Sequence, residues 1–399
     1  MKRMFRRCIA GALAAAMLTT PALAADFTAC ADRLYDMQLF AGTGKGYELD
    51  RTPSRAEASV MLVRLLGREA EARTGKYASP FTDVPAWAKP YVGWLYQNGL
   101  AAGVGGGKFG SDDKCTAQMM AAFLLRTLGY TEARGDFAFA NALAFAEEKG
   151  VADGANQSAS DFTRDEMVAM SYTALSRPTR AGASSLLASL VADGAVSAAA
   201  ASDTLALFGS YRAYENAALA SASEPRETET STVLRAGNAS VNLFTIASTD
   251  PANERMASQT WEGDEIVSAL YYTDGTLYRM QSGAQTAVRA PFDEAVGSGL
   301  LPISAVGAIR ADGAGYTLTA DPAPATRWLA ENADGAGLTA GTVQTLTLSV
   351  VLEDGELTEQ SLTAALTVSG QTLNASYHTA TTATGYDVWV LQPASITLR

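Results

Sequence analysis

The chain has 399 residues, enough for two or three domains of ordinary size, and 42 acidic residues against 30 basic ones give it a formal net charge of −12. This balance argues against a nucleic-acid-binding protein, which neutralises phosphates with a basic face. Because His378 is the single histidine, a metal centre built from several imidazole groups is excluded.

The first residues have the pattern of a secretory signal peptide. Four basic residues lie within Met1–Arg7, an apolar stretch follows over Cys8–Leu18, and Ala22-Leu23-Ala24 supplies the small residues of a cleavage site. A membrane-spanning helix needs about 20 apolar residues, so we predict a cleaved signal peptide at residues 1–24. We expect no transmembrane segment in the mature, secreted chain. Cleavage removes four positive charges, which lowers the net charge from −12 to −16.

Two cysteines remain after cleavage, Cys30 and Cys115. A secreted protein is in a compartment that permits disulfides, so these two residues are candidates for a bridge. The alternative is a pair of small, unpaired, buried side chains, and the sequence leaves both open.

Three segments of the N-terminal part share one order of elements: an aromatic start, an amphipathic helix, a glycine-containing loop and a polar motif that opens a second apolar helix. They cover about residues 27–80, 81–130 and 131–178. One such helix pair cannot bury its apolar stripe alone, whereas three copies around a common axis can. The pattern therefore predicts an all-α module over residues 26–178.

The polar motif predicts where the second helix of a copy begins. Ser54 and Thr163 are good N-cap residues, and Glu57 and Glu166 follow three positions later. This spacing is the capping box, in which each side chain bonds a backbone amide of the other residue. In the second copy Thr116 occupies the cap position.

These residues resemble the S-layer homology (SLH) family. The matching features are Phe81-Thr82-Asp83-Val84, the following Trp87-Ala88, and the family's Thr-Arg-Ala-Glu helix start, written here as Ser54-Arg55-Ala56-Glu57 and Thr163-Arg164-Asp165-Glu166. The resemblance implies a three-repeat helical prism that attaches a secreted protein non-covalently to secondary cell-wall polysaccharide, commonly pyruvylated. It also implies a location at the cell surface of a Gram-positive-type bacterium.

The resemblance further implies which residues bind the polymer: Arg55 and Arg164 with the adjacent Glu57 and Glu166, and the aromatic Trp87. A guanidinium can hold the carboxylate of a pyruvyl ketal with two hydrogen bonds, and a helix N-terminus adds favourable potential for an anion. The alternatives are solvated arginines that pair with nearby acids, and a Trp87 buried in the core.

The second copy departs from the family pattern, because Ala117 stands where the arginine is expected. We therefore expect one or two working grooves, and the sequence does not tell whether the second groove binds.

The composition changes after residue 178. Residues 179–231 are rich in alanine and predict two short helices, followed by a linker near 221–231. From residue 232 to 399 the pattern has period two, with hairpin signals at Asp274-Gly275 and Asp354-Gly355 and a last strand over 386–391. Residues 291–301 and 325–332 are predicted as short helices or irregular segments. The whole chain is thus predicted to be multidomain, with the α module followed by an α+β domain that has one curved antiparallel sheet.

The order of this sheet is similar to that of LolA/LppX-like half-barrel domains, on the hairpin Tyr271–Tyr278 and the late segment Val388–Pro393. The similarity implies a concave apolar face that could hold a hydrophobic ligand. The alternative is a solid-core sheet that acts as a spacer or adhesion module.

We predict a surface protein without catalytic activity, cofactor or metal, which displays a β-rich ligand-binding or adhesion domain. The alternative is a wall-anchored hydrolase with its active site in the C-terminal domain. Such an enzyme would use His378, which no Gly-x-Ser-x-Gly turn precedes, or an acid pair such as Asp264-Glu265 or Glu353-Asp354.

Overall fold

A computed structural model describes residues 26–153, 161–182, 184–281, 284–292, 299–332, 341–368, 370–385 and 388–390. The predicted signal peptide lies outside these ranges. The chain forms two compact units, a helical unit built mainly from residues up to 208 and a sheet unit built mainly from the residues after 208. None of the described helices is both long enough and apolar enough to cross a membrane.

The helical unit consists mainly of short helices. In each of the three copies, the helix after the glycine-containing loop starts at the predicted polar motif. The helices are α1 Thr28–Asp36, α2 Arg55–Leu65, α3 Glu69–Thr74, α4 Lys89–Gln97, α5 Ala117–Thr127, α6 Ala142–Glu148, α7 Arg164–Ser176 and α8 Leu186–Ala192, and α9 Ala198–Ala222 begins in this unit.

The helix starts are fixed by the side chains that the sequence indicates. Ser54 and Thr163 each accept a hydrogen bond from the amide three residues on, and the carboxylates of Glu57 and Glu166 bond the cap amides in return. Both capping boxes are therefore confirmed. Thr116 caps α5 through the amide of Met119, without a reciprocal carboxylate.

The helices of the three copies contact one another in a repeating relation. α2 of the first copy packs on α4 of the second, α5 of the second packs on α6 of the third, and α7 of the third packs on α1 of the first. Fully buried side chains such as Leu62, Leu95 and Phe123 fill these contacts, and each contributes about 1.5–3 kcal/mol by leaving water.

The segment after residue 178 differs from its prediction. Its second helix, α9, is 25 residues long rather than short, because the alanine-rich sequence has high helix propensity and contains no proline before Pro225. The expected linker at 221–231 is wrong as well. Helix α9 ends at Ala222 and the first strand begins at Arg226, six residues before the predicted domain start at 232.

The sheet unit contains one antiparallel sheet of eleven described strands in the order β6-β5-β4-β3-β2-β1-β11-β10-β9-β8-β7. Strands that follow each other in sequence are neighbours throughout, except that β1 pairs with β11 in the middle. The strands are β1 Arg226–Ala236, β2 Ala239–Asp250, β3 Arg255–Glu262, β4 Glu265–Thr273, β5 Thr276–Gln281, β6 Ala284–Arg289, β7 Val306–Asp312, β8 Gly315–Ala320, β9 Thr342–Glu353, β10 Glu356–Val368 and β11 Gln371–Thr384.

Both predicted hairpin turns are confirmed. Asp274 and Asp354 have φ of 50° and 53°, and the glycines that follow have φ of 72° and 86°. Two successive residues with positive φ form the tight turn that matches the twist of antiparallel strands. The predicted strand at 386–391 is wrong for its described part, because Val388–Val390 has no strand structure.

The two faces of the sheet differ in burial along β8 to β11 and β1. The inner face carries Leu348, Leu362 and Ala375, which are buried, and the intervening residues such as Thr345 and Thr363 lie exposed on the outer face. Helix α10, Pro322–Asn332, packs on β9, where the Val343 amide donates to Thr326 Oγ1 over 2.9 Å. Along these strands the core therefore lies on the inner face, whereas at β3 to β5 each face carries a buried apolar cluster, one around Tyr272 and the other around Tyr271.

Candidate functional site

Arg55, the first residue of α2, is almost completely buried, with 6% of its surface exposed. Its guanidinium lies over the rings of Phe109 and Phe123, 4.8 and 5.1 Å from their centroids, and Nη2 donates to the carbonyl oxygen of Ala102 over 2.8 Å. Nε is buried without a hydrogen-bond partner. Burial lowers the pKa of the Arg55 guanidinium below its ordinary value.

Arg164, the first residue of α7, has the same environment, with 4% of its surface exposed. Nε donates to the carbonyl oxygen of Tyr47 over 2.9 Å, the guanidinium lies 5.4 Å from the centre of the Phe40 ring, and burial lowers its pKa. Neither arginine forms an ion pair with a carboxylate among the residues that the structure describes. The expectation of solvated arginines paired with nearby acids is therefore wrong.

The backbone at these helix starts is bonded to a loop of another copy. The amides of Arg55 and Ala56 donate to carbonyl oxygens of the second copy, at Asp113 and Ser111, over 2.9 and 3.1 Å. In the third copy the amides of residues 164 and 165 donate to carbonyl oxygens at 51 and 49 of the first copy, both over 2.9 Å. Because these amides are already bonded, they cannot donate to an anion. At these helix starts an anion would therefore have to bind the guanidinium groups.

The two glutamates act as caps rather than as free carboxylates. Glu57 accepts two hydrogen bonds from Arg51, at 2.8 and 2.6 Å, in addition to the bond from the Ser54 amide. The hydrogen bond from Arg51 is the main reason why the pKa of Glu57 is lowered. Glu166 is buried and bonds the amide of Thr163 over 2.8 Å.

The second copy contains a further anchoring carboxylate that the sequence analysis did not single out. Asp83 accepts hydrogen bonds from the amides of Phe109 and Gly110, over 2.7 and 2.8 Å. These bonds hold the pKa of Asp83 below its usual range. Asp83 thus fixes the loop whose Phe109 ring lies under Arg55. Its position in the Phe-Thr-Asp-Val motif was the signal that could have indicated this role.

Trp87 lies on the surface, with 54% of its area exposed. The alternative of a core tryptophan is therefore wrong, and its ring is accessible to a ligand. Ala117 at the second helix start is buried and provides no cation.

The two cysteines do not form a disulfide. Cys30 in α1 and Cys115 before α5 are both buried outside any disulfide, which agrees with the alternative of two small buried side chains that do not pair with each other. Burial raises the pKa of the Cys115 thiol to about 12, so this sulfur is held as an unreactive thiol.

The acid and histidine candidates of the sheet lie on exposed strands and turns. Ser361 Oγ lies 2.9 Å from His378 Nδ1, across neighbouring strands and on the surface. Asp264, Glu265, Glu353 and Asp354 are exposed at two hairpins. Among the described residues, no group of three His, Cys, Asp or Glu side chains is arranged to hold a metal ion.

Comparison with known families finds a match within the second copy. Residues 80–116 match the S-layer homology domain family. The matched SLH segment contains Asp83, Trp87 and the loop that receives the start of α2, and it ends at the cap residue Thr116. The SLH resemblance read from the motifs is thereby confirmed.

Three relatives share sequence with part of the chain. A cell surface protein of Thermoanaerobacter kivui is 32% identical over 136 residues, which are 33% of this chain and 18% of that protein. The middle cell wall protein of Brevibacillus brevis is 30% identical over 119 residues, 29% of this chain and 11% of that protein. An endoglucanase of a Bacillus species is 31% identical over 100 residues, 25% of this chain and 10% of the enzyme. The chain thus spans less than a fifth of the length of each.

Solved structures give a weaker likeness. LprF from Mycobacterium bovis has a TM-score of 0.26 at 10% identity, covering 47% of this chain and 98% of LprF. Lipoprotein LppX from Mycobacterium tuberculosis has 0.27 at 10% identity, covering 46% and 98%. A LolA superfamily protein from Nitrosomonas europaea has 0.21 at 10% identity, covering 43% and 92%. TM-scores this low carry no conclusion about a ligand.

Proposed function

We propose that this protein is held non-covalently at the cell wall by its three N-terminal repeats, which bind secondary cell-wall polysaccharide, and that it displays its β-rich part as a ligand-binding or adhesion domain. The SLH match and the relatives named as cell surface and cell wall proteins support an extracellular, cell-wall-associated location. The recurring contact of each copy's second helix with the next copy's first helix supports the three-repeat prism.

The observation that carries the proposal is the pair of buried cations at the helix starts. A buried charge is costly unless it is paired, and Arg55 and Arg164 are bonded to carbonyl oxygens and aromatic rings rather than to described carboxylates. A ligand carboxylate would relieve this cost. The pyruvyl ketal of a wall polysaccharide supplies such a carboxylate, and the guanidinium groups are the donors left to bind it.

The test replaces both arginines by methionine in the intact chain. Methionine retains the unbranched stem of the arginine side chain but carries no charge. We expect the Arg55→Met, Arg164→Met variant to stop sedimenting with purified wall polysaccharide, and the unchanged chain to bind native polymer better than polymer whose ketals mild acid has removed. Undiminished sedimentation of the double variant would disprove the site.

The matched control is Arg64→Met in helix α2. Arg64 is already paired with Glu69 over 2.9 Å, so we expect this variant to sediment like the unchanged chain. If the control loses binding as well, the loss comes from the helix and not from the two grooves.

A second candidate function is the wall-anchored hydrolase, and one contact favours testing it. The 2.9 Å contact of Ser361 with His378 is the single serine–histidine pair recorded among the described side chains. Turnover of an ester or glycan by the intact chain, lost in His378→Ala, would establish the hydrolase. We expect no turnover, because the pair lies on an exposed sheet surface.

A further inference from the structure

The outer face of the sheet carries both polar and apolar side chains and is concave across its middle strands. A groove of about 320 Å³ lies across β1, β11, β10 and β9. This volume is at the lower end of the range of small-ligand sites. Hydroxyl and amide groups, which both donate and accept hydrogen bonds, share the lining with valine and alanine side chains. The outer-face lining residues are Val233, Arg235, Thr345, Thr363, Ala365, Asn374 and Ser376.

Arg235 is the cation of this groove. It is exposed, and its neighbours in the strand register are the neutral Ser240 and Asn374. No described side chain forms an ion pair with it. Glu229, an acid of the same strand and face, lies six residues away, about 20 Å at ~3.3 Å per residue. The groove is therefore locally positive in an acidic chain.

An apolar row lies beside the groove on the same outer face. Phe244 in β2, 38% exposed, pairs with Trp261 in β3, and their ring centroids are 6.2 Å apart at an interplanar angle of 37°. Trp261 pairs in turn with Ile266 in β4, which is 55% exposed. Phe244 also pairs with Ser231, four residues and about 13 Å along β1 from Arg235. Rings and cation are thus within the span of a few sugar units.

We propose that the outer face binds an acidic glycan, a sugar chain that carries carboxylate groups such as uronic acids. Arg235 binds a carboxylate, because a guanidinium forms two parallel hydrogen bonds to it. The threonine, serine and asparagine groups of the groove bond ring hydroxyls, and the flat rings of Phe244 and Trp261 pack against the apolar C–H faces of sugar rings. A purely apolar ligand would leave the hydroxyls and the amide unpaired. The inference rests on the proposed role of the sheet as the displayed ligand-binding part.

The test is calorimetric titration of the intact chain with a galacturonic acid hexamer and with cellohexaose. We expect the acidic hexamer to bind at least tenfold more tightly, Arg235→Gln to remove this preference, and Phe244→Ala with Trp261→Ala to weaken binding of the acidic hexamer at least fivefold. The matched controls on the edge strand β6 are Arg289→Gln and Val288→Ala, both at exposed positions, and we expect neither to change binding.

Three outcomes would overturn the inference: no binding of the acidic hexamer, binding that Arg235→Gln leaves unchanged, or binding that is lost in Arg55→Met with Arg164→Met instead. The last outcome would assign the acidic sugar to the helical repeats. Sedimentation velocity provides a further check, since a dimer that Phe244→Ala dissociates would show that a second copy of the chain covers this face. Loss of wall binding with retained hexamer binding would affect only the anchoring proposal.

Discussion

The starts of helices α2 and α5 perform the same structural task with different residues. At α2 a capping box closes the helix end and a buried arginine lies between two phenylalanine rings. At α5 a threonine caps the helix without a reciprocal carboxylate, and Ala117 takes the arginine position. The difference shows that the helix start can be built without the guanidinium. The comparison is consistent with the proposal that the cation in the first and third copies binds a ligand.

The largest expected effect comes from truncating Arg55. Arg55→Ala leaves a cavity over the rings of Phe109 and Phe123 and should lower the free energy of unfolding by about 3 kcal/mol. Arg55→Met keeps most of the packing and removes a poorly solvated charge, so it should change stability by less than about 1 kcal/mol. Urea denaturation of both variants measures the difference. Equal losses in the two variants would show that the charge itself stabilises the fold.

The second largest expected effect is the loss of stability when an N-cap threonine is replaced. Thr163→Ala removes an oxygen that belongs to a complete capping box and should cost about 1.5 kcal/mol, whereas Thr116→Ala should cost about 1 kcal/mol because α5 has no reciprocal carboxylate. Thermal denaturation of the two variants makes the comparison. A larger loss at Thr116 would contradict the ranking.

A smaller expected effect is the pH dependence of the stability that Glu57 contributes. The pKa of Glu57 is lowered, chiefly by the hydrogen bond from Arg51, so its contribution to stability is present above the ordinary glutamate pKa of about 4.3 and is lost as the pH falls through the lower folded value. Glu57→Gln should cost about 1 kcal/mol at neutral pH, because the ion pair is partly exposed. The cost should shrink below about pH 4. Unfolding curves at both pH values test this, and a cost that does not change with pH would contradict it.

The last prediction is that the Cys115 thiol does not react in the folded chain. Burial raises the pKa of Cys115 to about 12, so iodoacetamide at pH 8 should leave this thiol unmodified in the folded chain and modify it in urea. Mass spectrometry of the tryptic peptide measures the modification. Rapid labelling of the folded protein would mean that the region around α5 opens easily.

The sequence predicted what short-range patterns determine. Ser54 and Glu57 are three residues apart, and Asp274-Gly275 forms a turn by itself, so both were identified from local spacing. The burial of the arginines was not predictable, because Arg55 bonds a carbonyl 47 residues away and Arg164 one 117 residues away. The outer-face groove joins Arg235 with Thr345 and Thr363 and was missed for the same reason.

The pairing of β1 with β11 has a consequence for how the chain folds. Val233 lies beside Ser376, so the middle of the sheet joins residues that are more than 140 positions apart, while every other strand pair joins strands that follow each other in sequence. Two meanders can form early, one on each side, but the pairing of β1 with β11 that joins them can form only after β11 has been synthesised. Closing so long a loop is slow. Amide hydrogens of β1 that face β11 should therefore be the last in the sheet to gain protection in a pulsed hydrogen-exchange experiment.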